Sequence, residues 1–151
     1  MMGLVTSPTA GTRPARTVLA PAECRTLLRT GGTGRIVYTR RALPEACPVA
    51  FVHDSGVLAF AVDDAGVAAA VVGNAVAAFE VDGLDVRSGT AWTVLAVGET
   101  FEVTGSPALD RIRRRLVGPW VPALGDRVVA LRPQQLSGWR RAVSGPLAGP
   151  G

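Results

Sequence analysis

A mostly β protein, an antiparallel barrel with short helices set between its strands, is the fold this sequence predicts. Three observations predict it. The chain is 48% hydrophobic but only 5% aromatic, so its core is mainly Val, Ala and Leu, a mixture that favours strands through Val and short helices through Ala. Six or seven short apolar runs recur between Gly, Pro and Asp turns. Two of these runs are long, and the link between them, with Asp85 and Arg87 between Gly83 and Gly89, is too polar to be core.

In chain order, residues 1–17 mix Thr, Pro, Gly and Arg without periodicity and are expected to form a flexible arm. Pro21 opens a short helix with Glu23 near its positive end and the stripe Cys24, Leu27 and Leu28; Gly31-Gly32 stops it. The first strand is Arg35–Thr39 and the second Glu45–His53, where Pro48 implies an edge or a bulge. Asp54-Ser55-Gly56 turns the chain into a third strand, Val57–Val62. Asp63 or Asp64 can cap an Ala-rich helix over 65–72 that would plug one mouth of the barrel.

The fourth strand is Ala75–Asp82 and the fifth Thr90–Thr104, whose run Thr93–Val97 is apolar enough to need covering on both faces. Ser106 as N-cap with Pro107 in the first turn starts a third helix that ends by Gly118-Pro119. Trp120–Leu124 reads as a connector, Arg127–Leu131 as a sixth strand and Gln135–Arg140 as a seventh. The barrel domain is thus 18–141, and 142–151 is a flexible Gly/Pro tail.

The net charge is +4 and every basic residue is Arg, a bias that fits a GC-rich coding sequence and says little about partners. No apolar run approaches the roughly 18 residues of a membrane span, and residues 1–16 lack the apolar centre of a signal peptide. A soluble, cytoplasmic protein is expected, with Cys24 and Cys47 as reduced thiols without metal or redox spacing.

Several groupings invite a chemical reading. Arg111, Arg113, Arg114 and Arg115 have no interleaved aromatic to stack bases, so nucleic acid is not an expected partner and a solvated helix face is. His53, Asp54 and Ser55 are neighbours at a turn, whereas a catalytic triad draws its members from separated elements. Glu80 and Asp82 share a strand face. With no third ligand type nearby, pairing with Arg35 or Arg87 is preferred to metal, and no metal site is expected.

The ordered set Glu23-Cys24, Leu27-Leu28-Arg29, Gly34-Arg35-Ile36, Pro48-Val49, Phe79-Glu80-Val81-Asp82, Trp92-Thr93-Val94-Leu95-Ala96-Val97-Gly98 and Gly138 with its following arginines resembles small actinobacterial proteins of the pyridoxamine 5′-phosphate oxidase-like, FMN-binding split-barrel superfamily. The resemblance covers roughly residues 18–141. It implies a split-barrel homodimer with flavin or deazaflavin in clefts between subunits, acting as an oxidoreductase on a small molecule. Val49, Phe51, Phe60, Val62, Trp92 and Thr93 are the candidate cofactor-binding residues, the apolar ones to flank a flat ring and Trp92 to stack on it. No residue has a clear acid–base role; in flavin chemistry the cofactor does that work.

The chain departs from that pattern where the FMN phosphate is held. Family members carry Phe-Arg-Thr in the third strand and a Lys at the start of the next helix; here those positions read Ala61, Val62 and Val67, beside Asp63 and Asp64. Charge-assisted hydrogen bonds are worth about 1.5–3 kcal/mol each, so losing three weakens FMN by orders of magnitude. A carboxylate some 4 Å from a phosphate charge adds roughly 4 kcal/mol of repulsion before screening. Two readings therefore stand: a flavin- or deazaflavin-dependent oxidoreductase, or a split barrel that has lost its phosphate site and uses the apolar cleft as a cofactor-independent binding protein or enzyme.

Overall fold

The computed structural model describes residues 15–121 and 127–143. Most of the expected arm and tail lies outside them. The elements are β1 (Thr17–Val18), α1 (Pro21–Leu28), β2 (Gly32–Arg40), β3 (Leu43–Asp54), β4 (Val57–Val62), α2 (Ala65–Gly73), β5 (Val76–Asp85), β6 (Thr90–Glu102), α3 (Ser106–Arg115) and β7 (Arg127–Ala142). The strands form one antiparallel sheet in the order β1-β7-β4-β3-β2-β5-β6, and a further pairing of β6 with β7 closes it. This is the expected antiparallel barrel with short helices.

β2, β3 and β5 are longer than expected and β6 ends at Glu102, and four further features bear on the fold. The sixth and seventh strands are one strand, β7. A register shift between Val97 and Gly98 lets Pro133 sit opposite Gly98 without breaking the ladder. Gly98 is required there, because a Cβ would stand 1.8 Å from the Arg132 carbonyl oxygen. The β5–β6 ladder runs to Asp85 and Thr90, so the loop is only 86–89. Gly83 belongs to the strand and makes room for the Trp92 indole, which a Cβ would meet at 2.2 Å. The N-cap of α3 is Gly105, not Ser106. Thr17 and Val18 pair with Arg140 and Trp139 of β7.

Two apolar clusters hold the fold. The barrel interior gathers Phe51, Phe60, Phe79, Ile36, Val49 and Val62 with Ala68 and Val71 of α2, so α2 does plug the barrel. The rings of Phe51 and Phe79 meet edge-on at 5.0 Å. A second cluster lies outside the barrel wall, where Ile112 and Leu116 cover Val52, Ala59, Ala61 and Val128.

Candidate functional site

The β3–β4 ladder extends only from Phe51–Asp54 to Val57–Phe60. Beyond its end β3 continues through Val49, Pro48 and Cys47, paired on one side with Gly34, Arg35 and Ile36 of β2. Pro48 therefore occupies a locally open edge, as its missing N–H requires. The gap is a cavity of about 250 Å³ bounded by Cys47, Pro48, Val49, Ala61, Val62 and Asp63, with Pro119 and Trp120 against it. A second cavity of about 350 Å³ adjoins it, lined by Thr33, Arg35, Pro48, Glu80, Asp82 and Trp120.

The six candidate residues do not form one constellation. Val49 and Val62 line the smaller cavity. Phe51 and Phe60 lie directly opposite each other in the ladder and are fully buried beneath it in the barrel interior. Trp92 lies elsewhere: it pairs with Arg140, whereas Val62 pairs with Arg127 at the other end of β7. With Leu27, Asp85, Ser88 and Arg140, Trp92 lines a separate cleft of about 430 Å³. Thr93, half-buried, is opposite Asp82 and Trp139.

Charge near the open edge is already partnered. Arg35 Nη1 donates to Asp82 Oδ2 at 3.3 Å, the pairing the sequence suggested. Burial, then the neighbouring Asp82 carboxylate, raises the pKa of Glu80. Burial, then Asp63 and Asp64, likewise raises that of the Cys47 thiol and disfavours a reactive thiolate. At the start of α2, Asp64 Oδ1 accepts from the N–H groups of Gly66 (2.7 Å) and Val67 (3.2 Å). The helix N-terminus, an ordinary anion site, is thus occupied by the chain's own carboxylate.

The arginine run is exposed, as expected of a solvated face, but two of its members also reach a carboxylate on β3. Arg111 grips Asp54 with Nε and Nη2 at 2.8 and 2.9 Å, and Arg115 donates to Asp54 Oδ1 at 3.2 Å and to the His53 carbonyl at 2.9 Å. Asp54 is buried, and the Arg111 hydrogen bond holds its pKa below the usual carboxylate value despite that burial. His53 is half-buried, and its imidazole pKa is lowered by burial and then by Arg29 and Arg115. The sequence reading missed this clamp and the role of Trp120 as a cavity wall. A Trp two residues after a glycine, just past an amphipathic helix, was the available signal.

A closed antiparallel barrel split along one seam, with an apolar cleft at the split, defines the split-barrel class. Residues 20–140 match the pyridoxamine 5′-phosphate oxidase family profile, and the chain belongs to that family. It is 38% identical over 123 residues to an uncharacterized protein of Mycobacterium tuberculosis, covering 78% of this chain and 80% of that one. The FAD binding protein from Mycobacterium smegmatis is 26% identical, with a TM-score of 0.67 over 83% of this chain and 98% of that one. A FAD-binding protein from Mesorhizobium loti shares the fold at 17% identity, with a TM-score of 0.70 over 84% of this chain and 99% of that one.

A flavin fits this chain in part. Pro48, Val49 and Val62 offer an apolar wall for a ring. The 5′-phosphate of FMN does not fit beside α2. Ala61 and Val62 are buried and apolar, and Val67 packs against the interior cluster. The Arg40 guanidinium comes near, 3.5 Å from where a Cβ on Gly66 would stand, but Glu45 lies 3.9 Å from its Nε and Asp64 shares the space.

Proposed function

We propose that this chain is a flavin- or deazaflavin-binding split-barrel oxidoreductase that acts on a small molecule and holds its cofactor by the ring rather than by a terminal phosphate. One observation carries the reading: the apolar cleft at the open edge of β3 and β4, in a chain 26% identical to an FAD binding protein. Val49 and Val62 face the ring, with Phe51 and Phe60 supporting them from beneath. Trp92 and Thr93 would reach that ligand only from a second copy, in a homodimer whose contact covers the outward residues of β6. Leu95 is 38% exposed there, and nearby Leu84 is 51% exposed. We place the protein in the cytoplasm, where Cys24 and Cys47, both free, stay reduced.

Ala61, Val62, Val67 and the Asp64 cap also favour a second reading, a cleft that has given up flavin for another flat small molecule. The spectrum of the purified protein separates the two. A flavin absorbance, or one acquired on adding riboflavin or FAD, supports the first; protein that stays colourless after both supports the second. Sedimentation at micromolar concentration tests the dimer: a dimer is expected, Trp92→Asp should weaken it, and a monomer removes Trp92 and Thr93 from the site.

A further inference from the structure

We propose that Trp120 is the wall against which the ligand of the cleft lies, and that Asp54 fixes that wall by holding α3. The inference rests on the cleft at the open β3 edge being the ligand site. The two cavities there have only Pro48 and Trp120 in common among the described residues. Trp120 therefore borders both, and the two join into one site beside it. That indole is 49% exposed, although the chain has buried its Phe residues 51, 60 and 79 completely. An aromatic left open over an apolar groove offers a ring-shaped ligand a stacking partner.

The position of Trp120 is set from α3. Ile112 and Leu116 are buried in the second cluster, and Arg111 and Arg115 fasten the last turns to Asp54. From Leu116 the chain turns at Gly118, whose φ of +117° favours glycine, and the Val121 N–H reaches back to the Gly118 carbonyl at 3.4 Å. Removing the Asp54 grip frees the helix end from which the Trp120 turn is hung. The geometry also sets the ligand class. Cys47, Pro48, Val49, Ala61 and Val62 present apolar surface at one end, while Arg35, Glu80 and Asp82 stand at the other. Since Arg35 is already paired with Asp82, that end suits the hydrogen-bonding edge of an uncharged conjugated ring rather than an anion.

The test uses the full chain with riboflavin and FAD as probes, followed by flavin fluorescence anisotropy. Trp120→Ala should weaken both by about tenfold or more, while Trp120→Phe stays within about threefold, because a stacking face is kept. Asp54→Asn should weaken both several-fold. In a Trp92→Phe/Trp139→Phe background, where Trp120 alone emits, it should also raise acrylamide quenching. Flavin binding that is insensitive to Trp120→Ala overturns the inference and leaves the proposed function standing. If the natural chain binds neither flavin, the flavin form of the proposed function fails instead; quenching unchanged by Asp54→Asn then overturns the positioning claim, and increased quenching upholds it.

Discussion

At the start of α2 a carboxylate turns back onto its own helix. At the end of α3 two arginines reach across to a carboxylate on another strand. Asp64 takes the N–H groups of Gly66 and Val67, leaving a helix end that offers an incoming anion little. Asp54 takes Arg111 and Arg115, so cations that could have served a ligand serve the architecture. The difference teaches where charge was placed in this barrel. Arg111 and Arg115 brace α3 against β3, and the position that the family resemblance assigns to a cofactor phosphate is apolar and self-capped.

The largest expected effect comes from reversing that choice. Ala61→Arg, Val62→Thr and Val67→Lys together should raise FMN affinity by about a hundredfold or more, since even two charge-assisted hydrogen bonds at about 1.5–3 kcal/mol each supply that factor. Calorimetric titration with FMN checks it. No gain in a folded triple variant would mean that the α2 end is not where a flavin phosphate lies.

Next comes the α3 end. Asp54→Ala leaves Arg111 and Arg115 without their acceptor and should cost about 2 kcal/mol, lowering Tm by roughly 4–8 °C in a chain of this size. Thermal unfolding followed by circular dichroism reads it. Acid should act in the same direction. The folded pKa of Asp54 lies below its ordinary 3.8, so its contribution is complete above that value and is lost as the pH falls through the folded one. Asp54→Ala should therefore have a Tm difference from the natural chain that shrinks below pH 3.8.

A smaller effect sharpens the α2 side. Asp64→Ala removes an N-cap, worth about 1 kcal/mol, and should lower Tm by only a few degrees. The same change opens two N–H groups and removes a like charge, so FMN affinity should rise several-fold while riboflavin affinity is unchanged. Equal responses of the two ligands would separate the helix end from the phosphate.

Much of the barrel was legible because its signals are local. Val57–Val62 is the third strand by its apolar run and the Asp54-Ser55-Gly56 turn before it, and the structure gives the same bounds. The α2 cap and the pairing of the β5 acids with an arginine were each narrowed by spacing to two candidates, of which the structure takes Asp64 and Arg35. The division of β7 into Arg127–Leu131 and Gln135–Arg140 was not legible as one strand, because a bulge opposite Gly98 carries the ladder past Pro133. The cleft was only half legible. Val49 and Val62 share it through neighbouring strands, but Trp92 is carried to another cleft by the length of β6. The clamp joins residues 57 and 61 positions apart, and nothing in the arginine run names Asp54 as its partner.

The most direct test of the account is a paired titration of the unaltered protein with riboflavin and with FMN, which differ by the phosphate alone. Affinities within a few-fold of each other are the expected result, because Ala61, Val62 and Val67 give the phosphate nothing and Asp64 repels it. FMN binding a hundredfold more tightly than riboflavin would contradict it, and would point to Arg40, the guanidinium beside Gly66, as the anchor.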